Sequence, residues 1–327
     1  MKIIVTGGTG FTGACLVRRL LSRGHEVLVL DNQKGLADEE LAGKGAGVTI
    51  GSVTDTALLK QLIPGCELIY HLAAAFRRVN LPKSVYWETN VTAMRSLLEI
   101  ARAEKVKKVV YCSTQGVHGN VDNPPGDEDT PIEPEDYYQF TKYEGEKVAQ
   151  EFIKNGMDIT ILRPTAIYGP GDPGRFLMLY RRVQKGMFPF FGSGTALYHP
   201  VYVENFVDAF ELAALTPEAK GQTYIIADDR YYTIEEIVKK IAAVMNVDLK
   251  IRHYPFRALY AVSALVEILY KPLPVDPPLF RRRADWFRQN RAFKIDKARR
   301  ELGYEPKVGL DEGLRLTYEW YRENGYL

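Results

Sequence analysis

Tyr138 and Lys142 are the two residues of this chain whose types and spacing best fit proton-transfer chemistry. They stand four residues apart in a helix predicted at 136–155, so they share one helical face. A tyrosine with an ordinary pKa of about 10 is a poor base at neutral pH. A cation one turn away stabilises the phenolate and lowers that pKa, so the phenolate can take a hydroxyl proton while hydride leaves the same carbon. The alternative is an aromatic packed on the helix beside a surface lysine.

The same four-residue spacing recurs at Tyr143 and Lys147, so spacing alone has little value. Position distinguishes the first pair. Tyr138 stands at the start of the predicted helix, just after a Pro-rich acidic loop, whereas Tyr143 lies about 140° further round the helix. We therefore expect Tyr138 to reach a site at a strand edge.

A hydroxyl side chain is available at the end of the strand predicted at 109–112. Parallel strands present ligands at their carboxyl ends. Thr114 is the residue we expect to orient a substrate alcohol toward Tyr138, with Ser113 as the second choice. A simple loop-capping role for either hydroxyl is the alternative.

A glycine-rich loop at residues 6–13 follows a five-residue strand and opens a helix. Gly7, Gly10 and Gly13 have the spacing of dinucleotide-binding loops, and Gly8 extends the pattern. In such loops one glycine makes the tight turn, one lets the backbone approach a pyrophosphate, and one lets the helix pack close to the strand. The N–H groups at the helix N-terminus then bind the diphosphate. This context favours a ligand over a turn without one.

Asp31 ends the second predicted strand, 18 residues after Gly13. A carboxylate there can accept two hydrogen bonds from an adenosine ribose and would repel a 2′-phosphate. The position predicts NAD as the cofactor, with NADP less favoured. Lys34 partly offsets that preference, and a solvated turn at Asp31 before Asn32 is the alternative.

The first half of the chain alternates short β-branched runs with helical periods. Strands are predicted at 3–5, 27–30, 48–50, 68–72, 109–112 and 159–162. Helices are predicted at 12–22, 56–63, 88–103 and 136–155. This alternation predicts an α/β fold with a doubly wound parallel sheet of the Rossmann type, covered on both faces.

The second half is less regular and predicts a smaller C-terminal α/β lobe that binds substrate. Further strands are predicted at 201–203 and 224–226, returning to the sheet, with helices at 233–245 and 310–324. We therefore expect a nucleotide-binding domain at 1–163 with strands near 201–227 added back. Residues 164–200 and 228–327 would form the lobe.

Composition narrows the classes further. Of 327 residues, 46% are hydrophobic, and 43 Lys and Arg stand against 41 Asp and Glu, which excludes a disordered chain and gives no reason to expect nucleic acid. Three scattered cysteines, Cys15, Cys66 and Cys112, read as small buried apolar residues of a reducing compartment. With the first strand beginning at Lys2, no signal peptide is expected and the predicted location is cytoplasmic.

The most apolar late stretch, 258–270, is too short for a membrane span of about 20 residues. A core helix is the default expectation for it. An oligomer contact and a wall of an apolar site are the alternatives.

Together these features resemble the extended short-chain dehydrogenase/reductase superfamily, in its NAD-dependent epimerase/dehydratase branch. The resemblance runs nearly end to end and is specific for the superfamily, but only weakly specific for a reaction. It is carried by the segments 6–13, 71–74, 89–91, 113–119, 162–172 and 297–306.

The resemblance implies Tyr138 as acid and base, Lys142 as the residue that tunes it, and Thr114 as their hydroxyl partner. Asn90 would be a structural residue that kinks a helix. The cofactor-binding residues it implies are Gly7, Gly10, Phe11, Thr12, Gly13, Asp31, Asn32, Ser52, Val53, Leu72, Ala73, Ala74, Asn90, Tyr138, Lys142, Pro164 and Ile167. Candidate substrate-binding residues are Phe76, Gln115, Arg175 and His199.

Departures from the family pattern bear on the reaction. Gln115 and Gly116 stand where dehydratases of the family carry an Asp-Glu pair, so elimination lacks its acid and base. Tyr198 stands near the place of an arginine that clamps a diphosphate in many sugar-nucleotide members, and a phenol cannot make that bidentate contact. Ser52 replaces an acidic residue expected against adenine. A replacement cation for a diphosphate could come from Arg175 or from the run Arg281, Arg282 and Arg283.

Three hypotheses follow. The first is an NAD-dependent epimerase of a nucleotide sugar, which forms a bound keto intermediate by hydride abstraction and return. The alternative is an NAD(P)-dependent dehydrogenase or reductase of a hydrophobic alcohol, similar to 3β-hydroxysteroid dehydrogenases and dihydroflavonol reductases. A non-catalytic NAD sensor is disfavoured because Thr114, Tyr138 and Lys142 are all present.

Partners follow from the same features. We expect a small-molecule substrate, no metal and no membrane span. His71, His118 and His199 are not clustered with acids at ligand spacing, so we interpret them as hydrogen-bonded core or loop residues. A homodimer through 88–103 and 136–155 is expected by analogy with the family.

Overall fold

The computed structural model describes residues 1–35, 37–76, 81–172, 174–271, 275, 277–279 and 281–327, without the side chains of Arg175, Arg282 and Arg283. The strands are β1 (Lys2–Thr6), β2 (Glu26–Asp31), β3 (Gly47–Ile50), β4 (Leu68–His71), β5 (Lys108–Cys112), β6 (Ile159–Pro164), β7 (Ala166–Tyr168), β8 (Met187–Phe191), β9 (Leu197–Tyr198), β10 (Pro200–Tyr202), β11 (Thr223–Ile226), β12 (Tyr232–Thr233) and β13 (Lys250–Tyr254). The helices are α1 (Phe11–Ser22), α2 (Asp38–Gly43), α3 (Thr56–Leu62), α4 (Lys83–Trp87), α5 (Ala93–Ala103), α6 (Tyr137–Lys154), α7 (Arg175–Val183), α8 (Val203–Leu215), α9 (Ile234–Met245), α10 (Phe256–Tyr270), α11 (Arg281–Asp285), α12 (Asp296–Leu302) and α13 (Leu310–Glu323).

A seven-stranded sheet in the order β11-β6-β5-β4-β1-β2-β3 forms the centre, and every neighbouring pair in it is parallel. Its middle strands are continuous apolar runs because both faces are covered, as parallel sheets require. The strand order reverses at β1, so the carboxyl ends of β1 and β4 flank a crevice in which doubly wound folds bind ligands. The predicted α/β Rossmann-type fold is confirmed.

Two apolar layers hold this sheet. On one face α1, α8 and α12 pack around Leu16, Phe206 and Ala298, and on the other α3, α5 and α6 pack around Leu59, Met94 and Phe152.

A π-helical turn over Glu88–Thr92 interrupts the helix predicted at 88–103 and joins α4 to α5. Asn90 lies inside this turn and is buried. Such single π turns occur frequently at functional sites.

The chain returns to the central sheet once, through β11 beside β6. The strand predicted at 201–203 does not join this sheet, which corrects our expectation. It appears as β10 and pairs with β7, because the following residue already begins α8, whose apolar face covers the central sheet.

The remaining elements form a second unit with its own core. Three two-stranded sheets (β10 with β7, β12 with β9, β13 with β8) combine with α7, α9 and α13 around Phe176, Tyr180 and Ile237. A capping box at Thr233 and Glu236 starts α9.

The apolar stretch at 258–270 lies in α10, but α10 is not a core helix. Only Leu259 and Ser263 are buried in it. The prediction of a core helix was therefore wrong, because the rest of this helix faces outward.

Candidate active site

Tyr138 stands in the first turn of α6. The helix begins at Tyr137 because the Asp136 side chain caps it, accepting a hydrogen bond from the Gln139 backbone amide at 2.8 Å. The Tyr138 side chain is largely buried and meets the ring of Phe76 edge-on, with 5.2 Å between ring centroids. Phe76 itself is 65% exposed, so the two rings form an apolar surface that extends from the protein interior to solvent.

Lys142 follows Tyr138 by one turn and is fully buried against β5. Its ammonium group donates a hydrogen bond to the Cys112 carbonyl at 2.7 Å and lies 4.3 Å from the centroid of the Tyr111 ring. Burial lowers the pKa of Lys142 to about 8, against weaker opposing effects of Cys112 and Glu146. The cation is therefore fixed at the carboxyl end of β5, one turn from Tyr138.

The structure distinguishes Thr114 from Ser113, although both residues carry a hydroxyl group and the sequence does not tell them apart. Ser113 is buried and its hydroxyl donates a short hydrogen bond to Glu146, so this side chain is committed to the protein interior. Thr114 keeps partial exposure, and its hydroxyl accepts a hydrogen bond from the Gly116 amide at 3.0 Å. Its own proton is still available for a substrate oxygen. Geometry thus favours Thr114 as the hydroxyl partner.

A buried polar layer lies beneath these residues, and the sequence analysis did not predict it. Glu146 accepts two hydrogen bonds from the Arg163 guanidinium, at 3.0 and 2.6 Å, as well as the one from Ser113. Glu146 follows Lys142 by four residues and Tyr138 by eight, so their shared helical face was the available signal. The pair connects α6 to β6 and fixes the orientation of the helix that carries Tyr138.

His118 completes this layer as a neutral ring. An Arg163 nitrogen lies 3.0 Å from Nε2 and can only donate, so Nε2 accepts and Nδ1 donates to the Thr130 carbonyl at 2.8 Å. Burial, reinforced by Arg163, lowers the pKa of His118 to about 4. His71 is likewise buried, with Nδ1 2.7 Å from the Thr6 hydroxyl and a pKa lowered to about 3 by burial. Both rings are structural, as we interpreted them from the sequence.

The second Tyr-Lys pair faces elsewhere. The Lys147 ammonium lies 4.9 Å from the centroid of the Tyr143 ring and pairs with Glu144 at 2.6 Å. Tyr143 and Lys147 line an open cavity of about 710 Å³ between α6 and residues 128–132, and Tyr138, Lys142 and Thr114 do not line it. The angular argument that distinguished Tyr138 from Tyr143 agrees with this placement.

The buried lysine predicts a specific pH dependence of stability. The unfolded chain holds the Lys142 proton up to its ordinary pKa of 10.5, whereas the folded chain releases it near 8, so unfolding takes up a proton between these values. The free energy of unfolding contributed by this group therefore rises with pH, by up to about 3 kcal/mol from pH 7 to 11. Urea denaturation should show that rise in the wild type and in Lys154→Met, a change at an exposed lysine of α6. The rise should be smaller in Lys142→Met. An equal pH dependence in all three proteins would contradict the assignment.

The glycines of the loop at residues 6–13 differ in how much space surrounds them. A Cβ on Gly13 would lie 2.1 Å from the Gly7 carbonyl oxygen, and one on Gly7 would lie 2.8 Å from the Ala73 nitrogen. Gly7 also has a φ of +73°, which favours glycine. A Cβ on Gly10, in contrast, would meet only the Gly7 oxygen at 3.4 Å. Gly7 and Gly13 therefore close the turn, while Gly10 leaves its exposed side open to a ligand.

The helix that follows this loop supplies donors. No side chain caps α1 at Gly10, so the amides of Phe11, Thr12 and Gly13 point out of the helix N-terminus as they do in diphosphate sites. These residues fit the diphosphate of a dinucleotide, as the resemblance implied.

Asp31 ends β2 beside this loop, and one of its carboxylate oxygens accepts a hydrogen bond from the Thr9 amide at 3.1 Å. The partly exposed carboxylate is thereby held at the carboxyl edge of the sheet. Asn32 follows it and is exposed, and Ser52 follows β3 with its hydroxyl 2.7 Å from that of Thr54. The neighbouring Val53 is buried. These positions place all four residues along the edge where the adenosine half of a dinucleotide would lie.

Residues 72–76 run across the end of β4. The Leu72 and Ala73 amides donate hydrogen bonds to Thr6. The Asn90 side chain binds Ala75, accepting a hydrogen bond from the Ala75 amide at 2.8 Å and donating one to the Ala75 carbonyl at 3.3 Å. Asn90 also donates to the Thr141 hydroxyl on α6 at 3.0 Å. Both hydrogens of its amide group are thus donated within the protein, and its oxygen accepts one hydrogen bond. Asn90 positions the segment that contains Ala74, and its direct contact with a cofactor stays a prediction.

The last two predicted cofactor residues lie past β5. Pro164 ends β6 and is buried, whereas Ile167 in β7 stays partly exposed. Pro164 stands at the carboxyl end of a central-sheet strand, on the side of the glycine loop, and Ile167 is the middle residue of the short strand that follows it.

The four predicted substrate residues lie in different environments. Phe76 contacts Tyr138, and Gln115 follows Thr114 directly, with its side-chain oxygen buried and without a hydrogen-bond partner among the described residues. Arg175 starts α7, but its side chain lies outside the described residues. His199 is buried, with Nε2 2.8 Å from the Asp228 carbonyl and Nδ1 accepting from the Phe293 amide at 3.4 Å. Both its nitrogens are engaged within the protein, and contact of His199 with substrate stays a prediction.

Of the predicted cation candidates for a diphosphate, Arg281 is the one whose side chain is described, and it is paired within the protein. Tyr198 is buried and packs edge-on against Trp286 at 6.1 Å. Arg281 pairs with Glu267 at 2.8 Å. The side chains of Arg282 and Arg283 lie outside the described residues. Over the described part of the chain there is also no group of three or more His, Cys, Asp or Glu placed to hold a metal ion.

Comparison with known proteins agrees with this geometry. The model of the NAD dependent epimerase/dehydratase family matches residues 3–227. The 2-alkyl-3-oxoalkanoate reductase of Stenotrophomonas maltophilia (strain K279a) is 30% identical over 96% of this chain and 98% of its own. The structure of the dTDP-glucose 4,6-dehydratase DesIV from Streptomyces venezuelae, with NAD and TYD bound, superposes with a TM-score of 0.81 at 27% identity, covering 99% of this chain and 98% of that one. A UDP-glucose 4-epimerase from Thermotoga maritima, with UDP-glucose, gives a TM-score of 0.78 at 27% identity and covers 99% of both chains.

The chain therefore belongs to the NAD dependent epimerase/dehydratase family, within the extended short-chain dehydrogenases/reductases. It is an enzyme of this type, and a dinucleotide cofactor is supported by the neighbours that hold NAD. Its relatives include epimerases, dehydratases, decarboxylases and reductases, so membership alone leaves the reaction open.

Proposed function

We propose that the protein is an NAD-dependent oxidoreductase that interconverts a secondary alcohol and a ketone on a hydrophobic small molecule. The observation that carries this choice is the apolar surface presented at the catalytic tyrosine, where the exposed Phe76 ring lies against Tyr138. The buried Tyr198 adds support, because it stands near the place where nucleotide-sugar enzymes of the family carry an arginine. The 2-alkyl-3-oxoalkanoate reductase among the relatives acts, by its name, on a ketone with alkyl substituents.

A dinucleotide held at the glycine loop and Asp31 would supply the hydride chemistry at the carbinol carbon, giving hydride in one direction and taking it in the other. Tyr138 exchanges the proton of the substrate oxygen. Lys142, held at the Cys112 carbonyl, keeps a positive charge one turn away and favours the phenolate. The Thr114 hydroxyl orients the substrate oxygen, and the Phe76 ring excludes water from one side of Tyr138.

The choice of NAD over NADP is proposed to rest on Asp31. Asp31→Asn keeps an oxygen that can accept the Thr9 amide proton but removes the charge that repels a 2′-phosphate. We expect the ratio of kcat/KM for NAD over NADP to fall at least tenfold, which corresponds to about 1.4 kcal/mol. Steady-state kinetics with both cofactors measures it, with Glu39→Gln, an exposed acid of α2, as the control. A ratio that moves equally in both variants would make Asp31 a turn residue only.

A second candidate is an NAD-dependent epimerase of a nucleotide sugar. The likeness of the whole chain to the UDP-glucose 4-epimerase favours it, and the same Tyr138, Lys142 and Thr114 would serve. Gln115 and Gly116, in place of an acidic pair, disfavour a dehydratase.

One experiment separates the two. The protein is purified without added cofactor and denatured, and any released dinucleotide is identified. The native protein is then assayed with 2-alkyl-3-oxoalkanoates and steroid ketones plus NADH, and with UDP-sugars alone. We expect stoichiometric oxidation of NADH with the apolar ketones and no change in the sugars. Tightly retained NAD together with isomerised UDP-sugar, without net change in NADH, would establish the epimerase instead.

The homodimer through 88–103 and 136–155 and the cytoplasmic location stay predictions. No helix in the described ranges is long and apolar enough to cross a membrane.

A further inference from the structure

Helix α10 exposes a continuous stripe on which every residue is apolar. The stripe follows the i, i+3, i+4, i+7 spacing of one helical face and consists of Ala258, Ala261, Val262, Leu265, Ile268 and Leu269. Its four large members are 51%, 57%, 68% and 61% exposed, in sequence order. Isolated exposed apolar residues are ordinary, but a contiguous patch marks an interaction site.

The opposite side of α10 is anchored to the protein. Leu259 and Ser263 are buried there, and Glu267 is ion-paired with Arg281 at 2.8 Å. The Arg288 guanidinium covers the rings of Phe256 and Tyr260 at 5.3 and 5.7 Å from their centroids. The helix is therefore held with its polar partners inward and its apolar stripe outward.

The sequence that contains α10 is strongly basic. Residues 249–284 contain seven Lys and Arg against two Asp and Glu, although the whole chain carries a formal net charge of only +2. Arg257 and Lys271 stand at the two ends of α10 and are exposed. The acid within α10, Glu267, is on the anchored side and paired. Exposed basic groups beside an apolar stripe fit a surface that is apolar inside and anionic outside.

Its length favours a helix that lies flat. At 1.5 Å per residue, the 15 residues of α10 are about 22 Å long, shorter than the ~30 Å hydrocarbon core of a bilayer. Tyr254, which is 38% exposed just before the start of α10, is of the type enriched at membrane–water interfaces.

We propose that α10 docks the protein on the surface of an anionic lipid bilayer, with the stripe from Ala258 to Leu269 inserted among the acyl chains. A second copy of this chain is the competing occupant. In a two-fold contact the same surface meets itself, and the basic groups beside the stripe would then be brought together and repel. An anionic bilayer meets both the apolar stripe and its basic flanks. The proposal does not depend on which substrate the enzyme takes.

Vesicle flotation of the full chain tests the proposal. Wild-type protein is mixed with vesicles of phosphatidylcholine containing 30% phosphatidylglycerol, and with vesicles of phosphatidylcholine alone. The double variant Ile268→Ser/Leu269→Ser removes the most exposed part of the stripe. Its matched control, Met178→Ser/Leu215→Ser, removes two apolar side chains that are 51% and 70% exposed elsewhere on the surface.

We expect the wild type and the control to bind the anionic vesicles, with at least tenfold weaker partitioning of the stripe variant. Arg257→Gln/Lys271→Gln should weaken binding to anionic vesicles and reduce its sensitivity to salt. Thermal unfolding checks that all variants are folded. Equal binding of the stripe variant and the control, or no binding of the wild type, would overturn the proposal. So would a wild-type dimer in light scattering that the stripe substitutions convert to monomer, which would assign the stripe to a second copy.

Discussion

Tyr138→Phe is expected to lower kcat at least a thousandfold while leaving the fold and the affinity for the dinucleotide close to wild type. The phenylalanine keeps the edge-on contact with Phe76, so only the hydroxyl that exchanges the proton is lost. General acid–base catalysis by one side chain contributes ~10²–10⁴-fold, and this tyrosine has no neighbour of the same type on its helical face. Turnover of the best substrate and fluorescence titration of the dinucleotide measure the two quantities separately.

The chain supplies a matched control in Tyr143→Phe. Tyr143 belongs to the second Tyr-Lys pair on the same helix but lines, with Lys147, a cavity that Tyr138 does not line. We expect kcat of this variant to remain within about threefold of wild type, since Tyr143 lies on another face of α6 from Tyr138. Retained activity in Tyr138→Phe, or an equal loss in Tyr143→Phe, would remove the basis of the mechanism. Either reaction considered above requires Tyr138, so this result tests the site independently of the substrate.

Substitutions in the glycine loop are expected to have the second large effect. One substitution should lower the stability of the fold, and another should weaken the binding of NAD. In Gly13→Ala the new methyl group would lie 2.1 Å from the Gly7 carbonyl oxygen and 2.7 Å from the Gly8 Cα, both backbone atoms. The strand–helix junction must then move, and we expect the free energy of unfolding to fall by about 3 kcal/mol or more. Urea denaturation of the cofactor-free protein measures it.

Gly10→Ala should have the opposite profile. Its methyl group meets only one atom, at 3.4 Å, and its backbone conformation, φ −69° and ψ 170°, suits alanine, so stability should change by less than about 1 kcal/mol. The same methyl group faces the open side of the loop, and we expect the Kd for NAD to rise at least tenfold because the diphosphate can no longer approach the backbone. Gly43→Ala, at a position with nothing within 4 Å, serves as the control for both measurements. Unchanged NAD binding in Gly10→Ala would place the diphosphate elsewhere.

Much of the nucleotide-binding half was predictable because its signals are local. The apolar strands, the glycine loop and the Asp31 position each depend on a few neighbouring residues, and the strand–helix alternation dictates how parallel strands must connect. Because ligands of doubly wound folds bind at the carboxyl ends of the parallel strands, the sequence alone predicts the glycine loop, Thr114 and Tyr138 on one side of the sheet. The strand at 200–202 was assigned to the wrong sheet because its partner, β7, is a three-residue strand too short to show a periodic pattern in the sequence.

The amino-acid sequence alone was sufficient to predict the class of fold, the dinucleotide loop and the Tyr138–Lys142 pair, because these predictions follow from short-range periodicity and from the chemistry of the residue types. The tertiary structure was needed to engage the Ser113 hydroxyl and leave Thr114 partly exposed, to give both His199 nitrogens protein partners, and to bring Glu146 against Arg163. It also turned the apolar stripe of α10 outward. Each of these outcomes depends on which side chains from distant segments share one buried volume or leave a face without a partner, and hydrophobic periodicity along the chain carries no such information.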